Sequence, residues 1–352
     1  MSIHCSNPQV ALQSHALSQN LEKTMIEFID AAVKAVLVLS IIAAIAGFMV
    51  YLERKILGYA QRRLGPIHVG PFGLLQLLAD GIKLFCKEDI VPSHANRFLF
   101  MIAPIISTCA AFISVAAVPF LPEFYIGDYL VRPLVADINI GILFVLGVGA
   151  MGVYGPLLAG LSSGGKYSLI GAARATMQLL SFEVVSGLSL LAPIMLVGSL
   201  SLVDINNYQS DGFFSWLFFQ QPVAFFLFLV AGYAELNRTP FDLLEHEAEI
   251  IAGYATEYSG IRWGLFFVAE YANMITLSFL VSLLFFGGFN AWGFIPGGIA
   301  ILIKVAFFIS LFMWVRATYP HVRSDQLMWV CWKIFMPLAI LNTFITAIVL
   351  VF

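Results

Sequence analysis

Charge is scarce in this sequence. Only 11% of its 352 residues are Asp, Glu, Lys or Arg, and 60% are apolar; soluble domains carry roughly 25% and 45–50%. A chain so short of charge cannot cover a water-facing surface, so lipid must solvate much of it. The net charge of −3 is too small to attract a nucleic-acid partner. Cysteine is rare too. Cys5, Cys86, Cys109 and Cys331 are scattered, with no CxxC pair, and read as small apolar residues rather than as metal or cluster ligands. No Walker motif is present, so no ATP motor is expected, and no dinucleotide site is expected either. No His/Cys set has metal or haem spacing; His68 and His94 lie too far apart to pair. Residues 1–27 lack both an apolar run and arginine. They resemble neither a signal nor a transit peptide, and a disordered or surface-lying polar extension is expected there.

Long apolar runs, in contrast, are abundant. A bilayer core takes about 20 apolar residues per helix. Eight candidates lie near 28–51, 97–121, 138–161, 168–199, 222–237, 263–286, 294–318 and 327–352. The expected fold is an all-α polytopic membrane protein, with a single membrane domain over 28–352. The fifth run is the weakest, because it reaches full length only by including Glu235 to Asn237. The fourth is long and expected to tilt or bend.

Basic residues are distributed unevenly. Fourteen of the 18 Lys and Arg fall on the odd connections and their flanks, three lie on the opposite side, and Lys304 lies inside a span. The positive-inside rule then puts the odd connections in the cytoplasm and both termini outside. The first connection holds the stretch 74–85, LLQLLADGIKLF. Leu74, Leu77, Leu78, Ile82 and Phe85 recur there at helical spacing, with Asp80 and Lys83 on another face. Such an amphipathic helix can be an interfacial anchor or the wall of a cavity for an amphiphilic ligand arriving from lipid.

Acids occur where they are expensive. Glu183 sits near the middle of the fourth run, where a carboxylate costs roughly 2.5–3.5 kcal/mol on insertion scales. It is a candidate for a proton relay, with a structural hydrogen-bonding role as the alternative. Glu270 and Lys304 sit within the sixth and seventh runs, either as an ion pair or as a site whose proton affinity changes when the pair breaks. The densest feature is 234–260, AELNRTPFDLLEHEAEIIAGYATEYSG, with Glu235, Asp242, Glu245, Glu247, Glu249 and Glu257 against Arg238 alone. A helix after Pro240 would bring Asp242, Glu245 and Glu249 to one face. Crowded carboxylates cannot all ionise cheaply. The run touches two spans, on the side where positive charge is expected, so an acidic funnel or proton reservoir is favoured over a merely solvated loop.

These same stretches, LERKILGYAQRRLGP (52–66), VGPFGLLQLLADGIKLFCKED (69–89), GGKYSLIGAARATMQLLSFEV (164–184), 234–260 and RATYPHVRSDQL (316–327), resemble the H subunit of proton-pumping NADH:quinone oxidoreductase, respiratory complex I. Its mitochondrial equivalent is NADH dehydrogenase subunit one. The resemblance runs from about Ala31 onward. It implies a subunit of a translocase, at the heel of a membrane arm, carrying no redox cofactor itself. FMN and iron–sulfur clusters would belong to partner subunits, and quinone would be the substrate. The implied partners are the hydrophilic-arm subunits of the quinone site, small membrane-arm subunits and lipid, in a bacterial inner membrane. The resemblance assigns Glu53, Arg54, Arg63, Asp80 and Arg316 to a quinone chamber. It assigns Asp242, Glu245, Glu247, Glu249 and Glu257, with Glu183, Glu235 and Glu270 deeper, to an acidic channel. Lys304 joins the relay set from its position within a span. Leu77 stands where the family usually has proline, which would straighten the amphipathic helix, and His321 where it commonly has arginine. A stand-alone cation/proton antiporter and a subunit of a related membrane-bound hydrogenase are the alternatives.

Overall fold

The computed structural model describes residues 8–122, 124–126, 129–131, 138–243, 252–290 and 295–352. Among these, seven helices are long and apolar enough to cross a membrane, and Pro222–Glu235 is an eighth, shorter apolar helix. The chain is an all-α polytopic membrane protein. The structure adds one small ribbon to the expected helices: β1 (Phe124–Ile126) pairs antiparallel with β2 (Tyr129–Val131).

Helix α1 runs Pro8–Ala60, and no glycine or proline interrupts it before Gly47. It therefore takes in most of the polar first segment. Helix α2 (Gln76–Cys86) is the amphipathic stretch. Leu77 is its second residue, in the first turn where a proline would also fit, so the exchange leaves the helix course unchanged. Helix α3 is Arg97–Val115. Helices α4 (Gly141–Met151) and α5 (Tyr154–Ser163) form one span with a break at Gly152–Val153. Pro156 lies just beyond it and cannot donate to the Gly152 carbonyl. Gly147, Gly149 and Gly152 have GxGxxG spacing. They lie within this span and its break rather than at a strand-to-helix turn, so the spacing carries no dinucleotide meaning here.

Helix α6 (Lys166–Val197) is followed by the short α7 (Leu202–Tyr208) and α8 (Leu217–Gln220), then by α9 (Pro222–Glu235). Helices α10 (Gly260–Phe285) and α11 (Gly297–Thr318) come next. The last span joins α12 (Ser324–Val330) to α13 (Met336–Val351) through a π-helical turn at Cys331–Phe335. Pro337 explains that turn, since it cannot donate to the Lys333 carbonyl.

Helix α10 is the axis of the bundle. Its apolar window is 78% buried, against 11–44% for the other spans. A helix that is apolar all round belongs in such a place. Its Thr276, Ser278 and Ser282 hydroxyls donate to carbonyls one turn back, which removes the cost of burying them. Close approach elsewhere depends on missing side chains. A Cβ on Gly171 of α6 would stand 2.7 Å from Gly253 Cα, so only glycine lets α6 pack on the turn at Gly253–Ala255.

Candidate functional site

Helix α9 ends at Glu235, and Asn237 follows in the left-handed region (φ 53°). Asparagine tolerates that conformation after a helix, and proline commonly follows two or three residues on. The sequence Asn237-Arg238-Thr239-Pro240 thus reverses the chain and turns Arg238 inward. Gln178 of α6 holds the reversal by donating to the carbonyls of Ala234 (2.8 Å) and Phe241 (2.6 Å). The Tyr233 hydroxyl donates to the Thr239 carbonyl at 2.5 Å.

Arg238 is 1% exposed and bridges two helices. Its Nη1 lies 2.5 Å from Glu53 Oε2 of α1, and its Nε lies 2.6 Å from Glu270 Oε1 of α10. Tyr271 donates to Glu53 Oε2 at 2.6 Å, and its ring lies 4.3 Å beneath the guanidinium. Arg316 of α11 pairs with the other Glu53 oxygen. Glu270, Arg238, Glu53 and Arg316 therefore form an alternating chain of charges between four segments. Burial opposes the charge on Arg238, but the Glu270 and Glu53 carboxylates outweigh it and hold the guanidinium protonated well beyond its ordinary range. Its Nη2 finds no acceptor among the described residues.

A cavity of about 160 Å³ adjoins this cluster. It is lined by the acids Glu183, Glu235, Asp242 and Glu270, together with Asn237 and Arg316. A buried water needs roughly 10–15 Å³ of such space, so several fit. The break between α4 and α5 opens on it through Gly149, Gly152 and Pro156. Irregular backbone within a membrane is tolerated where it lines a wet cavity. Ser186 of α6 donates to Glu235 Oε1 at 2.8 Å.

The structure thus brings Glu53, Arg316, Glu183, Glu235, Asp242 and Glu270 into one buried region, around Arg238 and its cavity. Arg54 and Asp80 pair beside it at 2.5 Å, and Gln76 donates to Asp80 at 3.0 Å. Arg63 is exposed in the turn after α1, with its Nε on Gln61 Oε1 at 2.6 Å. Glu257 lies apart from the cavity, over Gly165 at the start of α6. Glu245, Glu247 and Glu249 fall outside the described residues, as does most of the helix expected after Pro240.

Lys304 is not the partner of Glu270. It donates to the carbonyls of Phe286 (2.7 Å), Gly288 (2.9 Å) and Asn290 (2.9 Å) and lies 4.7 Å from the Trp216 ring centre. Twelve residues separate it from Arg316, about 18 Å along α11, so it sits away from the cluster. It holds the turn that follows α10 instead, close to the C-terminal end of that helix, where a positive charge also suits the dipole.

Sequence reasoning misses Tyr271, Gln178 and Tyr233. A signal exists: Gln178, Ser181, Ser186 and Ser189 form a polar stripe at helical spacing in an apolar run. Among the described residues no three His, Cys, Asp or Glu side chains converge as metal ligands.

Comparison with known proteins identifies the family. The model of the NADH dehydrogenase family matches residues 33–347. The H subunit of NADH-quinone oxidoreductase from Wolinella succinogenes is 70% identical over 323 residues, covering 92% of this chain and 98% of that protein. The protein of the same name from Helicobacter pylori strain Shi470 is 66% identical over 322 residues, covering 92% and 98%. That of a Nitratiruptor species is 66% identical over 318 residues, covering 90% and 96%. Matched along nearly its whole membrane domain, the chain belongs to the NADH dehydrogenase family, among the H subunits of NADH-quinone oxidoreductase.

Proposed function

We propose that this chain is the membrane-arm heel of an NADH:quinone oxidoreductase in a bacterial inner membrane, with its odd connections in the cytoplasm and both termini outside. It forms part of the quinone chamber and couples quinone reduction to proton translocation. It binds no redox cofactor; FMN and iron–sulfur clusters belong to partner subunits, and it meets hydrophilic-arm subunits, small membrane-arm subunits and lipid. The observation that carries this reading is the continuity of one charged region. The amphipathic helix α2 is tied to α1 at Arg54, the neighbouring Glu53 belongs to the buried ion chain, and that chain borders a cavity with four carboxylates.

In this reading Glu53, Arg54, Arg63, Asp80 and Arg316 face the quinone side. Reduction of quinone takes up protons and changes the local charge. Glu270 is bound to Arg238 on one side and borders the cavity on the other, so a change in its protonation alters both. Glu235 and Glu183 continue the path across α9 and α6, with water able to bridge the gaps. Glu245, Glu247, Glu249 and Glu257 would supply protons from the cytoplasmic loop. Lys304 has the weakest claim to the relay, since its ammonium donates to the carbonyls of Phe286, Gly288 and Asn290.

The test is Glu270→Gln and Glu183→Gln in the assembled complex. Both NADH-driven quinone reduction and proton translocation are expected to fall; normal values of both would overturn the reading. Asp80→Asn and Arg63→Gln test the chamber, through the apparent quinone affinity and inhibitor response. Neither the antiporter nor the hydrogenase alternative is favoured, since the relatives carry the name of a quinone oxidoreductase subunit.

A further inference from the structure

The segment that leaves α2 is fastened to the start of α10 by more bonds than a connection needs. Ser259 donates to the Glu88 carbonyl at 3.1 Å and accepts from the Ile90 amide at 3.5 Å. Asp89 Oδ2 lies 2.9 Å from Arg262 Nε; the aspartate stands at the surface and the arginine side chain, 15% exposed, is the more enclosed partner. Gly260 adopts φ +57°, and a Cβ there would lie 3.1 Å from the Lys87 carbonyl, so the two chains touch through backbone. Leu84 of α2 packs over Gly264 one turn further along α10.

The same joint extends to α3. Pro104 cannot donate to the Phe100 carbonyl, and the Tyr258 hydroxyl takes up that acceptor at 3.1 Å. The Tyr258 ring stacks on Phe100 at 4.0 Å, and the Arg262 guanidinium lies 5.5 Å from the same ring centre. Burial pushes the Tyr258 phenol up to about 12, so it remains a donor across the physiological range.

Helix α2 is therefore held at two places by two different helices. Its Asp80 is tied to Arg54 of α1, and Tyr51 of α1 donates to the Phe72 carbonyl just before it. Its departing end is tied to Arg262 of α10. Each tie stands close to one acid of the buried ion chain. Arg54 adjoins Glu53, and Arg262 precedes Glu270 by eight residues, about 12 Å of rigid helix. The two acids are themselves joined by Arg238.

We infer that Asp89 and Arg262 are positioning residues that make α2 and α10 move as one body, so that displacement of α2 by a ligand reaches Glu270. The inference rests on the reading that α2 walls the quinone chamber. An ion pair with one enclosed partner suits the task, because it is directional and less screened by salt than a fully exposed pair. A packing contact alone would let α2 slide; the Asp89 and Ser259 bonds fix its register on α10.

The test is Asp89→Asn in the whole complex, alongside the charge-exchanged pair Asp89→Arg with Arg262→Asp. NADH oxidation by a water-soluble acceptor, which reports assembled redox arm, is expected to stay at the wild-type level. The quinone KM is expected to stay within about twofold, while kcat and proton translocation fall about fivefold. The exchanged pair is expected to recover at least half of the loss. A raised KM with kcat preserved would mean that the pair only shapes the chamber and would overturn the inference. So would unchanged kinetics, or an exchanged pair that recovers nothing. If Asp89→Asn fails to assemble, Arg262→Lys replaces it, keeping charge and reach; loss of assembly there too would reduce the pair to a structural strap. Glu270→Gln separates this inference from the reading beneath it. Lowered turnover in that variant with normal Asp89→Asn kinetics defeats the inference alone, and normal turnover in both defeats the reading as well.

Discussion

Ser186 and Glu235 meet across α6 and α9 through a 2.8 Å hydrogen bond in which the serine hydroxyl donates. The bond links α6 to an acid lining the cavity, and it orients a carboxylate that pairs with no basic side chain among the described residues. Removing a hydrogen bond to a charged group costs roughly 1.5–3 kcal/mol. Ser186→Ala is therefore expected to slow coupled quinone reduction several-fold at normal complex content. Ser189, whose hydroxyl donates to the Ser186 carbonyl of its own helix, provides the control, and Ser189→Ala should leave the rate unchanged. Turnover per assembled complex in membranes is the measurement.

Arg238 is expected to be intolerant of change. Removing one partner of a buried ion pair costs roughly 3–5 kcal/mol, because the remaining charges are stranded. Arg238→Met strands Glu270 and leaves Glu53 with one cation, Arg316, and the Tyr271 hydroxyl. Little assembled complex should accumulate, as judged by immunodetection of the chain in membranes. Arg238→Lys keeps the charge but not the fork that reaches Glu53 and Glu270 together, and should assemble with lowered thermal stability.

Lys304 should behave in the opposite way. Its ammonium satisfies the carbonyl of Phe286, which caps α10, and those of Gly288 and Asn290 in the turn that follows, and buried unsatisfied acceptors cost roughly 1–3 kcal/mol each. Lys304→Met is expected to lower the midpoint of thermal inactivation while leaving turnover of the surviving complex near normal. Lys304→Gln, which can still donate two hydrogen bonds, should recover part of the loss. A large fall in turnover at unchanged stability would place Lys304 in the relay.

Gly171→Ala adds one carbon where a Cβ stands 2.7–2.9 Å from the backbone of Gly253 and Tyr254. Backbone atoms cannot yield as a side chain can. Overpacking of this kind costs typically 1–3 kcal/mol, and the turn leading to α10 would shift. Reduced thermal stability with a lowered coupled rate is expected. Gly187 has open space around its Cβ position, and Gly187→Ala should be silent in the same assay.

The helices were legible because lipid demands long apolar runs, and these stand out in a chain with so few charges. Glu183, Glu235 and Glu270 were legible for the same reason, as acids in segments where acids are costly. Partners were harder to read. Lys304 and Glu270 lie in neighbouring spans and invite pairing, yet their depth depends on where each helix ends, and the carbonyl end of α10 claims the lysine. Arg238 stood out in sequence only as a lone positive charge. Its role at the centre of the ion chain depends on the reversal after Asn237, a turn conformation that apolar periodicity does not encode. Tyr271 has no sequence signal that sets it apart from the other aromatic residues of its span. The Asp89–Arg262 tie joins residues 173 positions apart, a separation at which spacing rules say nothing.

The break between α4 and α5 adds no net helix-end charge to the cavity. The amides of Gly152, Val153 and Gly155 bond back to the carbonyls of Gly149, Ala150 and Gly152, and the end of α4 and the start of α5 face the space together, so their opposite end charges offset. The electrical character of the space is left to the four acids and Arg316 that line it, and each of those can be neutralised singly by substitution.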